Sequence, residues 1–507
     1  MANNKGGYFT LLAPVETEPP VKPDLITCNA DQQDILSQLP DDILLTILDG
    51  LNIRDAARIS LLSRCWRPLP TMTSQVMINV SDFVPKGTSW FTDDELVRIN
   101  AAVVKATKSI LAFRKSDEHT IRLLSMRFYL RNDDCISIGH TVSHAMATQK
   151  VEMVKFTILT EKDDKQCVDD DLVTYGRQFS FGLTRLELEN LRFGELEIPN
   201  ILKTCDRLKY LRLYNCDSGI WTLLEVEHMQ LCELSIVNCR FERVKLSWLP
   251  KLTRMIFGGW LSFQDPLCFG HVPLLKSVGL SNVGLSWHKA VKLSKFLSNI
   301  STRDLILDFK SEKIWIQPEG PKALASAFHK LRFVNLVDLP EGYDHLWTMF
   351  IIEAAPFLRE LYVTYGIIHV KWKQMRRRGK LEEKRKAYSY SENRSIDWDD
   401  ASATSFKNHS LSTLAIFGFQ SSDNLIKYIR RVMDAAVNLE DIFLYKRMVC
   451  DECTGKNTNP LRSPSNKKQR FSMRNRIAQG TRSLAMIHFP SVIRDDHNAK
   501  LLYQLSD

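Results

Sequence analysis

Two cysteines near the C-terminus are the first candidates for chemistry, because Cys450 and Cys453 have the Cys-x-x-Cys spacing of a metal site. A structural zinc ion takes four protein ligands, usually from two such pairs. No second Cys-x-x-Cys and no paired histidine motif follows, and His488 and His497 are single and distant in sequence. We therefore interpret the two cysteines as separate thiols and predict no metal and no other cofactor.

Signatures of catalysis are also missing from the sequence. The chain has no Walker-type phosphate loop, no glycine-rich dinucleotide fingerprint, no nucleophile elbow and no His-Glu-x-x-His zinc motif. Its 12 histidines are not paired with carboxylates at catalytic spacing. The sequence therefore predicts a protein that binds other molecules and has no catalytic site of its own.

The positive charge of the chain is concentrated in two segments. Residues 371–386 hold nine Lys and Arg against two Glu, and residues 455–476 hold seven Lys and Arg with no acid. Without these segments, the formal net charge of +9 becomes −5 for the remainder of the 507 residues. On composition we interpret both as surface loops, inserted at about 371–407 and 455–476.

Two functional interpretations of the basic loops remain open beside solvated surface. Residues 376–380 and 467–470 have the composition of nuclear import signals. A nucleic-acid surface would need aromatic side chains among the cations, and the basic stretches contain only Trp372 and Phe471. Nucleic acid is therefore not an expected partner.

The N-terminal region separates into a leader and a helical segment. Residues 1–33 contain four prolines and are predicted to be disordered. Residues 39–51 then place apolar side chains at helical spacing, and a second helix is expected from Asp55 to Cys65, before Pro68 and Pro70. The apolar positions of the first helix are Ile43, Leu44, Ile47, Leu48 and Leu51.

An internal repeat of the form apolar-x-x-apolar-x-apolar occurs twelve times along the chain. Successive starts between 183 and 275 are 21–25 residues apart, within the 20–29 residues of leucine-rich repeats. Each unit is predicted to supply one strand of a curved parallel solenoid, because a single unit cannot bury its own apolar face. The alternative is a large mixed α/β domain with ordinary buried strands. The units start at 121, 151, 183, 208, 231, 252, 275, 302, 331, 358, 411 and 439.

The residues between the apolar positions of the repeat are expected to project from the concave face of the sheet, opposite the core. Their tyrosines and arginines are typical of a protein-binding surface, although exposed strand positions also favour aromatic residues through β-propensity alone. The candidate substrate contacts are Glu187, Tyr210, Arg212, Tyr214, Tyr362, Phe443 and Tyr445.

Residues 34–70 resemble an F-box, with a Leu-Pro-x-x-Ile-Leu opening and a Leu-x-Ser-Arg-x-Trp close. With this F-box and the repeats, the chain resembles the plant F-box/leucine-rich-repeat family. Its C-terminal region is similar to the C-terminal region of that family. Pro68 departs from the usual pattern at the end of the F-box. The resemblance implies a small helical F-box module followed by an α/β horseshoe solenoid. The expected organisation is a leader at 1–33, an F-box at 34–80, a helical linker at 81–120 and the solenoid at 121–507.

The resemblance also implies partners. The F-box would bind a Skp-type adaptor, which links it to a cullin scaffold, and the repeats would bind an unknown protein substrate for ubiquitin ligation. The expected adaptor contacts are Leu39, Pro40, Ile43, Leu44, Ile47, Leu51 and Trp66. The alternative is a scaffold outside any ligase, or a nucleic-acid-associated protein that uses the basic loops.

The expected location is the cytoplasm, the nucleus or both. The 11 cysteines are odd in number and scattered, which is unlike a secreted disulfide framework. No apolar run approaches the ~20 residues that cross a bilayer, and the N-terminus lacks a secretory signal. No membrane partner is therefore expected.

Overall fold

A computed structural model gives the architecture of most of the chain. It divides into two compact units, Met1–Thr73 and Ser74–Asp507. The described residues are 39–59, 61, 66, 69, 72–84, 92–112, 114, 120–129, 132–159, 183–189, 191, 193–194, 197–219, 222–260, 265–282, 291–310, 315–317, 319–339, 347–365, 406–446, 463–464 and 466–494. The predicted leader, Cys450, Cys453 and most of the 371–407 insertion lie outside these residues.

Where the structure describes the first unit, it contains two short helices, α1 (Asp41–Asp49) and α2 (Ile53–Ile59). Two aspartates in the first turn of α1 favour its start electrostatically. Asn52 caps α2, because its side-chain oxygen accepts a hydrogen bond of 2.9 Å from the backbone N–H of Asp55. The core of this unit consists of Leu44, Leu48, Ala56, Trp66 and Leu69.

The second unit is built on a parallel sheet that has 14 strands among the described residues. The repeat prediction is confirmed, since the strands follow one another in a leucine-rich-repeat solenoid. The strands of the large sheet are β1 (Gln75–Asn79), β2 (Ile121–Tyr129), β3 (Val151–Leu159), β4 (Arg185–Glu189), β5 (Tyr210–Tyr214), β7 (Glu233–Val237), β9 (Arg254–Gly258), β11 (Ser277–Ser281), β12 (Asp304–Asp308), β13 (Phe333–Leu339), β14 (Glu360–Tyr365), β15 (Thr413–Phe417), β16 (Asp441–Tyr445) and β17 (Met486–His488).

Strand register stacks equivalent side chains of successive repeats. Leu186 of β4 pairs with Leu211 of β5, which pairs with Leu234 of β7. All three are at most 3 % exposed and belong to one core that extends from β1 to β17. Because side chains alternate along a strand, the intervening residues face the opposite, concave side of the sheet.

The chain returns between strands of the large sheet by helices or by a second sheet. The helices are α3 (Asp93–Ala112), α4 (Asn132–Thr148), α5 (Glu197–Thr204), α6 (Leu293–Phe296), α7 (Pro321–Phe328), α8 (Trp347–Ala354), α9 (Asp423–Ala435) and α10 (Lys467–Ala478). The second sheet consists of β6 (Leu223–Glu227), β8 (Arg243–Trp248) and β10 (Leu267–His271).

Repeat length accounts for the choice between these two return paths. The repeats that contain β6, β8 and β10 are 21–23 residues long, whereas those that contain α6, α7 and α8 are 27–29 residues long. An extended residue advances the chain about 3.3 Å and a helical residue about 1.5 Å. A short return segment therefore has to be extended to cover the distance that a longer segment covers as a helix.

The structure corrects three predicted boundaries. The sheet begins at β1, well before 121, and α3 packs within the solenoid instead of forming a linker. Asn100 of α3 donates a 3.0 Å hydrogen bond to the carbonyl oxygen of Tyr129 and accepts a 3.2 Å bond from its N–H. The predicted F-box segment, 34–80, therefore includes β1 of the sheet. The prediction missed this strand because β1 lacks the leucine-rich pattern. The predicted 455–476 loop overlaps α10, which Asn466 caps.

No helix in the described part of the chain combines the length and the apolar character that a membrane span requires.

The corrected boundary predicts the behaviour of truncated chains. A chain that begins at Ser74 is expected to fold, whereas a chain that begins at Ile121 lacks β1 and α3 and their buried Val76, Ile78 and Val103. Each buried side chain of this kind contributes about 1.5–3 kcal/mol, so the shorter chain should be several kcal/mol less stable. Thermal unfolding followed by circular dichroism measures the difference. Equal melting temperatures would contradict the placement of β1 in the solenoid.

Candidate functional site

The first helix of the F-box unit has two apolar faces. Leu44 and Leu48 point into the core and are each 2 % exposed. Ile43 and Ile47 are 44 % and 37 % exposed, and with exposed Pro40 they form a stripe at positions i, i+3 and i+7 of one helix face. We call Pro40, Ile43 and Ile47 the F-box stripe.

The residues predicted as adaptor contacts therefore divide into two groups. Leu44 and Trp66 lie in the core, at 2 % and 5 % exposure, and Leu39 and Leu51 pack partly against it. These residues hold the helices together, and their contact with an adaptor stays a prediction. The helical periodicity could not separate the two groups, because apolar residues at 43–44 and 47–48 cover both faces. Leu61, the first residue of the Leu-x-Ser-Arg-x-Trp close, is 79 % exposed but is not among the predicted adaptor contacts.

On the concave face of the solenoid, Glu187 is the centre of a polar network. Its Oε1 contacts Lys155 Nζ at 3.0 Å and Arg185 Nε at 3.2 Å, and its Oε2 accepts a 3.2 Å hydrogen bond from Thr157 Oγ1. The strands β3 and β4 place these groups together, because Lys155 pairs with Arg185 and Thr157 pairs with Glu187 in register. Glu187 itself is only 8 % exposed.

Opposing effects act on the pKa of the Glu187 carboxyl. Burial raises this pKa, while the hydrogen bond from Lys155 and the charges of Lys155 and Arg185 lower it, and the net result is a pKa below the usual range. Glu187 is therefore an anion that its neighbours stabilise. Its role in the structure is to hold two cations in place on the concave face.

Tyrosines of β5 lie beside this network and stack with arginines. The guanidinium carbon of Arg185 is 3.5 Å from the ring centroid of Tyr210, and that of Arg212 is 4.8 Å from the ring centroid of Tyr214. Burial raises the pKa of the Tyr210 phenol, which favours its neutral form. The predicted contacts Glu187, Tyr210, Arg212 and Tyr214 are thus brought together on two adjacent strands.

The other three predicted substrate contacts lie apart, in an aromatic cluster on strands β14–β16. Tyr362, Phe443 and Tyr445 are buried, at 0 %, 4 % and 2 % exposure, and pack with Ala415 and Phe417. The rings of Phe417 and Tyr445 stack with centroids 4.6 Å apart. These side chains are buried and not exposed as expected, because the rings of neighbouring strands pack together and Ile493 and Arg494 pack against them. Their role as substrate contacts stays a prediction.

The described ranges contain no group of three or more His, Cys, Asp or Glu side chains that could hold a metal ion. The solenoid and F-box surfaces are instead built from apolar, aromatic and paired charged groups. Such groups suit the binding of macromolecules.

Two family models match the chain. Residues 36–71 match the F-box domain, and residues 173–488 match the family described as At1g61320/AtMIF1, LRR domain. The two matches confirm the predicted combination of an F-box with leucine-rich repeats. A search of curated proteins gave no match to the chain.

The Glu187 network predicts a pH-dependent contribution to stability. Because its folded pKa is lowered, the contribution is present above the ordinary glutamate pKa and is lost as pH falls through the folded pKa. Glu187→Gln should lower the free energy of unfolding by about 1.5–3 kcal/mol at neutral pH, and the difference should shrink in acid. Urea unfolding at several pH values measures it. Glu152→Gln, at an exposed position of β3, is the control, and equal losses in both variants would contradict the network.

Proposed function

The chain belongs to the At1g61320/AtMIF1 leucine-rich-repeat family and carries an F-box, and on this basis we propose that it is the substrate-recognition subunit of a Skp–cullin–F-box ubiquitin ligase. F-box domains generally bind Skp1-type adaptors. In this proposal the adaptor connects the chain to a cullin, and the solenoid binds a protein substrate.

The F-box stripe is the observation that carries the proposal. Ile43 and Ile47 expose large aliphatic side chains next to one another on α1, although the helix has a separate face for its own core. Contiguous exposed apolar side chains on a small unit mark a site of protein interaction. An adaptor with an apolar groove would bury this stripe, and Leu61 supplies a further exposed apolar side chain in the same unit.

In such an assembly the chain would contribute to catalysis by positioning its substrate. The F-box/leucine-rich-repeat architecture is typical of adaptor subunits that are not catalytic. The chain would hold its substrate close to a ubiquitin-loaded enzyme, which raises the effective concentration of the reacting groups. The proposal places this activity in the cytoplasm or the nucleus.

A second candidate function rests on α10. This helix has five Lys and Arg and no acidic residue, and Phe471 on its surface is 63 % exposed. A scaffold that binds nucleic acid through α10 would show binding that weakens steeply as salt rises. A single exposed aromatic residue provides little stacking surface, so the ligase subunit is the function we favour.

The F-box stripe predicts the effect of charge on adaptor binding. Ile43→Asp combined with Ile47→Asp should weaken the complex with a purified Skp-type adaptor by at least about 100-fold, because two carboxylates would be desolvated without partners. Isothermal titration calorimetry measures the affinity. Both side chains are exposed, so the helical circular dichroism signal should be unchanged.

Thr46→Asp is the matched control, since it adds the same group at an exposed position of α1 outside the stripe. This variant should bind the adaptor as the natural chain does. Full affinity of the double variant would contradict the assigned interface, and no binding by the natural chain would contradict the proposed function.

A further inference from the structure

Arg212 is a cation in the middle of β5, on the concave face of the sheet. Its backbone pairs in register with Glu187 on one side and Ser235 on the other. Both carboxylate oxygens of Glu187 are already taken by Lys155, Arg185 and Thr157. Among the described residues, no Asp or Glu lies within ion-pair distance of Arg212, and its guanidinium rests instead over the Tyr214 ring.

The cations around Arg212 have carboxylate partners. Lys155 and Arg185 contact Glu187, and Arg127 lies 3.8 Å from Glu189. Glu233 pairs in register with Tyr210 and, within the described part of the chain, forms no ion pair with Arg212. The charge of Arg212 is held on a half-buried part of the sheet, where solvent screens it less than on an open surface. A negatively charged group from another molecule would supply the missing partner.

The shape of the surface is suited to a carboxylate. A guanidinium stacked on an aromatic ring keeps its N–H edge available for a bidentate contact with a planar group. Tyr210 and Tyr214 lie two residues before and after Arg212 on the same face of β5, and both are half-buried. Ser235, beside Arg212 on β7, is small. One guanidinium between two tyrosines fits a single carboxylate, whereas a phosphate dianion usually recruits several unpaired cations.

We propose that Arg212, Tyr210 and Tyr214 form the docking surface for an acidic segment of the substrate, with an Asp or Glu carboxylate bound to Arg212. That the acidic segment belongs to a substrate rests on the proposed function, whereas its binding to this surface does not. The aromatic cluster of β14–β16 takes no part, because its rings are buried against one another. Recognition is thus assigned to β4 and β5, in the N-terminal half of the solenoid.

A peptide selection tests this surface without the adaptor. Random peptides displayed on phage are selected on the immobilised full-length chain, and the enriched peptides are expected to be rich in Asp and Glu. The best peptide is then synthesised, and its affinity is measured by fluorescence anisotropy. Arg212→Glu should weaken binding at least roughly tenfold, and a peptide with Lys in place of the key acid should recover affinity for that variant.

Matched variants separate recognition from folding. Lys322→Glu makes the same charge change at an exposed position of α7 and should leave peptide affinity unchanged. Arg212→Gln removes the charge without introducing a second carboxylate beside Glu187, and should also weaken binding while the melting temperature stays the same. Selection of peptides without acidic enrichment, a preference for phosphopeptides, or equal affinity of the Arg212 variants would overturn the proposal.

An adaptor assay on the same preparation distinguishes the two proposals. A chain that selects acidic peptides but does not bind a Skp-type adaptor would retain this docking surface and lose the ligase assignment. A chain that binds the adaptor, and whose peptide affinity does not depend on Arg212, would retain the ligase assignment and lose this docking surface.

Discussion

Burial of equivalent strand residues against one another is the interaction on which the solenoid depends. One repeat offers two or three apolar side chains from a strand of about five residues, which is too little to offset the conformational entropy of ordering the segment. The register places Leu186 beside Leu211 and Leu213 beside Ile236, so that each repeat covers the apolar side chains of its neighbour. The stability of any single strand is therefore a property of the strands on both sides of it.

The same register gives the concave face two different physical characters. On β3–β5 the outward positions hold Lys155 and Glu187, which form an ion pair, and Arg212, whose guanidinium lies over the Tyr214 ring. On β14–β16 the corresponding positions hold Tyr362, Ala415 and Phe443, which exclude water. One backbone geometry thus supports a polar recognition surface at one end and a rigid aromatic layer at the other.

Periodicity was sufficient to predict the strands of the solenoid, because leucine spacing reports directly which residues share a core. It could not predict exposure on the other face, since the burial of Tyr362 depends on rings contributed by strands over fifty residues away in sequence. It also missed β1, whose Val76 and Ile78 alternate without the leucine-rich pattern. In the F-box, two apolar faces on one nine-residue helix left the core residue Leu44 and the surface residue Ile43 indistinguishable.

The last strand of the large sheet has a consequence for how copies of this chain meet one another. In the described part of the chain β17 pairs only with β16, so its outer backbone groups form an open edge that another extended chain could join. The strand is three residues long, and Pro490 follows shortly after it with no N–H to donate. Such a short template offers few hydrogen bonds to an incoming strand. The addition of a further strand at β17 is therefore disfavoured.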